Sequence, residues 1–141
     1  MKLITTALTT GFAAATLATS VFAEGQPPIG APAPDFALTD SAGVKHSLSE
    51  YKGKYVVLEW TNPGCPFVKK HYDSGNMEKL QAEYTKKGVV WLTIDSSAPG
   101  EQGFLAGEDA KKAREQYYKD STALLLDPEG KVGHEYHATN T

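Results

Sequence analysis

The sequence predicts an α/β fold built on a sheet whose central strands run parallel. Three observations carry that expectation. Near-continuous apolar runs at Tyr55–Trp60, Val89–Ile94 and Ala123–Leu126 have the pattern of strands covered on both faces. Amphipathic stretches of helical spacing lie between them, and glycine or proline punctuates the boundaries. Strand, helix, strand, helix, strand in that order is the pattern of parallel pairing through helical crossovers.

The chain opens on Met1–Ala23, with one basic residue, Lys2, ahead of an uncharged, threonine-rich apolar run that ends Val21-Phe22-Ala23. Small residues at the signal-peptidase positions make this a secretory signal cleaved after Ala23. The uncharged run is also long enough to span a bilayer, but six threonines dilute it, which favours export over anchoring. Residues 24–34, rich in Gly, Pro and Gln, form an extended lead-in, and one domain is expected over 35–141.

Within that domain, Asp35–Thr39 and Val44–Leu48 alternate around the turn signal Asp40-Ser41-Ala42-Gly43 and predict a hairpin. Ser49-Glu50-Tyr51 begins a helical turn that Gly53 stops. The first long strand runs from Tyr55 to Trp60. Asn62-Pro63-Gly64 breaks it, and Pro66 then opens a helix through Phe67, Val68 and His71, since proline is tolerated in a first turn. Asp73-Ser74-Gly75 interrupts the helix, and Met77, Leu80 and Tyr84 carry a second one to Gly88. After the second strand, 96–107 is a long loop whose Gly100, Gly103 and Gly107 fit no phosphate-binding spacing and imply flexibility. Glu108–Lys119 is an amphipathic helix with acids at its start. The third strand, the turn Asp127-Pro128-Glu129-Gly130 and a helical piece over Val132–His137 complete the pattern.

Formal net charge is −3 over 141 residues. Losing the signal removes only Lys2 and leaves a charge of about −4. No basic block or basic–aromatic interleaving occurs, so neither a nucleic acid nor an anionic membrane is an expected partner, and no stable membrane association is expected after signal cleavage. The chain has one cysteine, Cys65. A lone cysteine in an exported protein points to pairing with another molecule or to a reactive thiol. Its place at a strand-to-helix junction suits the second role, because helix-terminal N–H groups and the helix dipole stabilise a thiolate. Lys69, one turn on, is expected to add a cation on the same face.

Other residues carry weaker signals. Glu59, among Val57, Leu58 and Trp60, is a candidate buried proton carrier, with a solvent-facing or lysine-paired carboxylate as the alternative. Lys70 and His71 suit a solvated face. His134 and His137 could both reach a metal, but with no second soft ligand they suit an ordinary surface. Trp60 and Trp91 end or begin strands and are expected in the core. No cofactor and no metal are implied.

The segments Ile29–Asp40 (IGAPAPDFALTD), Leu58–Tyr72 (LEWTNPGCPFVKKHY), Trp91–Ser97 (WLTIDSS) and Leu124–Val132 (LLLDPEGKV) resemble the thioredoxin-fold redoxins. Within them the chain is most similar to the peroxiredoxin-like group related to alkyl hydroperoxide reductase C and thiol-specific antioxidant proteins. The resemblance implies a thioredoxin-like fold with an N-terminal β-hairpin extension, central parallel strands flanked by helices, and a redox-active Cys65. It departs from the family at three places. Val68 stands where thioredoxins carry the second cysteine of a C-x-x-C pair, so no dithiol cycle can run within the chain. Asn62 stands where peroxiredoxins carry a threonine or serine, and Thr61 is one residue early. The family continues with a cis-proline, a hairpin and a helix beyond the position of Thr141, so the sequence is expected to lack the C-terminal strands and helix and to leave Tyr55–Trp60 at a sheet edge.

The function this implies is that of a thiol-dependent antioxidant oxidoreductase, periplasmic or extracellular. The Cys65 thiolate would reduce a peroxide by way of a sulfenic acid, which an external thiol or protein reductant would resolve. Donors from Asn62, Gly64 and Cys65 would hold the departing oxygen, with Glu59 and Lys69 assisting. Two alternatives stand beside it: an envelope protein forming mixed disulfides through Cys65, with a small thiol or protein partner, and a non-catalytic thioredoxin-fold binding module. Copper handling through Cys65 and a histidine lacks a second soft ligand.

Overall fold

The computed structural model describes residues 27–140. The signal expected over 1–23 and the start of the lead-in lie outside the described residues. A five-stranded sheet organises the rest, in the order β2-β1-β5-β4-β3. β1 (Ala37–Asp40) and β2 (Lys45–Ser47) form the expected antiparallel hairpin. Its turn is tied by Asp40 Oδ1, which accepts from the N–H groups of Ala42 (2.9 Å) and Val44 (2.8 Å). A short 3-10 turn, Leu48–Tyr51, leads on to β3 (Val56–Thr61).

β3, β4 (Val90–Asp95) and β5 (Ala123–Leu126) pair in parallel, and β1 closes antiparallel on β5. The register sets Glu59 beside Thr93 and Thr61 beside Asp95. All six residues of β4 are buried, which is why its sequence is apolar almost throughout. Alternation along each strand divides the core in two. On one face Phe36, Leu92, Ile94, Leu125 and Val132 pack together, with Leu58, Trp60 and Tyr136 against them. On the other, Tyr72, Ala110, Ala113, Tyr118 and Leu124 gather beneath the helices.

The helices are α1 (Pro66–Asp73), α2 (Asn76–Lys86), α3 (Gly107–Gln116) and α4 (Lys131–Glu135). Gly75 separates α1 from α2 with φ 69°, a left-handed conformation that glycine adopts without cost. This is the thioredoxin-like arrangement expected, with the hairpin extension at its start and β3 at the sheet edge among the described residues. Among these residues no helix is long and apolar enough to cross a membrane.

Two expectations need correction. The third helix stops at Gln116 rather than Lys119, because Tyr118 turns inward, is 1 % exposed, and packs edge-on against Tyr72 at 5.0 Å between ring centroids. The long loop after β4 is also held rather than loose. Asp95 clips both of its ends: Oδ1 accepts from Ser97 N–H (3.1 Å) and Ser97 Oγ (2.6 Å), and Oδ2 accepts from Leu105 N–H (3.1 Å).

Candidate functional site

β3 delivers the chain to the site. Its last residue, Thr61, is buried and its hydroxyl lies 2.9 Å from the Tyr118 hydroxyl. Burial pushes Tyr118 up to about 12. Asn62, Pro63 and Gly64 then make a tight turn in which the Cys65 N–H donates to the Asn62 carbonyl at 2.9 Å. Cys65 is the N-cap of α1, with extended backbone (φ −72°, ψ 126°) and Pro66 at the first helical position. The first helical bond runs from Lys69 N–H to the Cys65 carbonyl at 3.0 Å. The N–H groups of Phe67 and Val68 precede it, in the turn that a helix leaves without intrahelical partners. Cys65 is half-buried and lines a cleft of about 630 Å³ with Trp60, Phe67, Ser97, Gln102 and Asn140 among its walls.

The donors expected to hold a departing oxygen are committed elsewhere. Gly64 N–H donates to Asn62 Oδ1 (2.8 Å), and Cys65 N–H to the Asn62 carbonyl. Asn62 Nδ2 donates to the Gln102 carbonyl (2.8 Å) and to Ser97 Oγ (3.3 Å). Asn62 thus fastens its own turn to the loop after β4. Gln102 answers from that loop, its Nε2 donating to the Gly64 carbonyl at 3.2 Å.

Glu59 is neither solvent-facing nor paired with a lysine. Its Oε1 accepts from the Tyr72 hydroxyl (2.7 Å), and its Oε2 from Gln81 Nε2 (2.9 Å), Trp91 Nε1 (2.7 Å) and Thr93 Oγ1 (3.2 Å). Burial, and then the Glu59 charge, push the Tyr72 hydroxyl far above the usual tyrosine range. Glu59 therefore joins β3 to β4, α1 and α2. Lys69 does not share the cleft: its exposed side chain lines a small crevice with Pro63, Tyr72 and Tyr117. The reason is that an N-cap residue has extended rather than helical backbone, so the residue four places on does not stack over it. His71 is exposed beside Asn76. Trp60 is only half-buried and its indole donates to Ser96 Oγ at 3.1 Å, so it belongs partly to the cleft, whereas Trp91 is core.

Sequence reasoning missed the residues that face this turn from the loop after β4. Gln102 had no motif to mark it, and Ser97 lay in the segment Trp91–Ser97 with no role attached. Gly103 (φ 87°) reads in the sequence as loop flexibility, yet a Cβ there would come within 2.0 Å of Asn62 Oδ1. Asp95 is pushed up by burial, partly offset by its bonds from Ser97 and Leu105. Among the described residues no group of three or more His, Cys, Asp or Glu side chains is placed to hold a metal.

Comparison with known proteins adds a family. The AhpC/TSA family is matched over residues 29–141. The thiol-disulfide oxidoreductase ResA of Geobacillus kaustophilus is 37% identical over 71 residues, which are 50% of this chain and 40% of the relative. The thioredoxin-like protein YneN of Bacillus subtilis is 33% identical over 72% of this chain and 55% of its own length. The chain thus spans about half or less of these curated relatives. Among solved structures, the exposed lipoprotein thioredoxin Etrx1 of Streptococcus pneumoniae superposes with a TM-score of 0.58 at 27% identity, covering 76% of both chains. A conserved protein of Geobacillus kaustophilus reaches 0.67 at 28% identity, over 78% of this chain and 58% of the other.

Proposed function

The chain belongs to the AhpC/TSA family, and from that premise we propose that it is an exported thiol–disulfide oxidoreductase whose single working sulfur is Cys65. The observation that carries the reading is the position of Cys65 at the N-cap of α1, at the wall of an open cleft. There the first-turn N–H groups and the helix dipole favour a thiolate. The similarity to thiol-disulfide oxidoreductases supports it.

In the proposed reaction the Cys65 thiolate attacks one sulfur of an external disulfide. The Cys65–sulfur bond forms, the external sulfur–sulfur bond breaks, and the second external sulfur leaves as thiolate. A second external thiolate then attacks the mixed disulfide and releases Cys65 in its starting state. Val68 occupies the place of a resolving cysteine, so both partners come from outside. The proposed organisation keeps the signal at 1–23, the lead-in at 24–34 and the redoxin domain at 35–141, with a periplasmic or extracellular location. Asn62 and Gly64 hold the turn before the sulfur, Glu59 fixes the strand that carries it, and Lys69 has no direct part.

Peroxide reduction is the second reading, favoured by the AhpC/TSA match. There the thiolate takes one peroxide oxygen to become a sulfenic acid, the other oxygen leaves as hydroxide or alkoxide, and two external thiols restore the thiolate with loss of water. Against it, the nearby donors of Asn62, Gly64 and Cys65 already have acceptors. The test exposes the mature protein separately to a small disulfide and to hydrogen peroxide, with a sulfenic-acid trap, and reads Cys65 adducts by mass. A rapid mixed disulfide with little trapped sulfenic acid is expected. Rapid sulfenic acid with sluggish disulfide exchange would favour the second reading, and no adduct with either would leave a non-catalytic binding module.

A further inference from the structure

The geometry points to Gln102 as a positioning residue for Cys65: with Asn62 it clasps the loop after β4 onto the turn before α1 and fixes the Gly64–Cys65 peptide in place. This inference rests on Cys65 being the working sulfur, and goes beyond it in naming what orients that sulfur.

The peptide joining Gly64 to Cys65 has one carbonyl and one N–H, and both are held. The carbonyl accepts from Gln102 Nε2 at 3.2 Å, and the N–H donates to the Asn62 carbonyl at 2.9 Å. The preceding N–H, that of Gly64, is taken by Asn62 Oδ1 at 2.8 Å. A peptide plane held at both ends resists rotation, and because the Cys65 carbonyl is itself held by the Lys69 N–H at 3.0 Å, the backbone is fixed on both sides of the Cys65 Cα.

Close approach enforces the clasp from two sides. A Cβ at Gly64 would fall 2.5 Å from Gln102 Cγ, and one at Gly103 would fall 2.0 Å from Asn62 Oδ1. A larger residue at either glycine would therefore displace the Gln102 or Asn62 side chain from the clasp. The clasp also has a fixed base. Asp95 leaves the end of β4 and binds the loop at Ser97 and at Leu105, so Gln102 is presented from a closed loop rather than a swinging one. Since Asn62, Ser97 and Gln102 all line the cleft with Cys65, the clasp is also a wall of it, and an incoming sulfur must approach from the remaining sides.

The chemistry predicts which substitutions matter. Gln102→Met keeps the length and loses the donor. Gln102→Glu keeps the length and sets an acceptor against the Gly64 carbonyl. Asn62→Asp keeps the acceptor for Gly64 N–H and loses the donor to the loop. The experiment reads two quantities in each variant and in the unsubstituted protein: amide hydrogen exchange at Gly64 and Cys65, and the rate at which native Cys65 displaces thiolate from an aromatic disulfide. Expected for the Gln102 variants are faster exchange at both amides and a rate lowered about threefold, in the order Glu below Met, with the melting temperature little changed because Gln102 is exposed. Asn62→Asp should lower the rate similarly and speed exchange at Cys65 more than at Gly64. Faster exchange with an unchanged rate would overturn the positioning role, and unchanged exchange would overturn the clasp itself. A sulfur already inert in the unsubstituted protein would sink the redox reading and this inference together. Indifferent variants of a reactive protein would sink this one alone.

Discussion

Glu59 and Asn62 stand three residues apart at the end of one strand, and each is the centre of a polar cluster, yet the two clusters do opposite work. Glu59 draws its four donors from strands and helices: Tyr72, Gln81, Trp91 and Thr93. Asn62 draws its partners from loops: Gly64, Ser97 and Gln102. The first cluster lies among groups that water reaches poorly, where an unmatched donor is costly. The second lies at the surface, where its bonds add little stability but fix a direction. The difference teaches that stability and reactivity are separable here, and substitutions at the two centres should divide accordingly.

The sharpest division is expected from Cys65→Ser. It should abolish every disulfide-linked adduct on non-reducing gels while changing unfolding free energy by less than about 0.5 kcal/mol. Next in size is Glu59→Ala, which takes the acceptor from Tyr72, Trp91 and Thr93 while Gln81 keeps its bond to the Tyr72 hydroxyl (2.8 Å), and should cost about 3 kcal/mol in urea denaturation. The reaction rate of Cys65 per folded molecule should stay near that of the unsubstituted protein. If that rate falls as steeply as stability, the two clusters are not separable.

Gly103→Ala should act on both quantities. A side chain at φ 87° facing Asn62 should cost about 1–3 kcal/mol and slow the sulfur as the Asn62 turn is displaced. A smaller effect comes from pH. Tyr118 and Tyr136 are both pushed up to about 12, chiefly by burial. Between pH 10 and 12 the unfolded chain has lost these protons and the folded one keeps them, so stability is full below pH 10 and declines as pH rises towards 12. Ultraviolet titration of the seven tyrosines should find Tyr72, Tyr118 and Tyr136 ionising last. Smallest is Tyr118→Phe, which removes the hydroxyl contact to Thr61 and should cost about 1 kcal/mol by thermal melting.

What the sequence made legible follows from how local each signal is. The apolar run of β4 was plain because both of its faces are covered, and the placing of Cys65 was plain because Pro63, Gly64 and Pro66 leave few other conformations. Glu59's partners were hidden because Tyr72, Gln81, Trp91 and Thr93 are brought together only by the pairing of β3 with β4 and the packing of two helices. The role of Gly103 is hidden because a glycine that allows motion and a glycine that allows close approach look alike until the side chain opposite is known. Lys69 is hidden for a related reason: helical spacing does not hold from an N-cap, whose backbone is not yet helical. Tyr118 ended its helix early because a buried contact outweighed the amphipathic pattern.

The most direct test compares Cys65 with itself. Native protein and protein unfolded in urea are each mixed with an aromatic disulfide at neutral pH, and the released thiolate is followed in time. The fold is expected to accelerate the sulfur about tenfold over the unfolded chain, with one thiolate released per chain. A native sulfur that reacts no faster than the unfolded one, or that waits for unfolding before it reacts, would contradict the account.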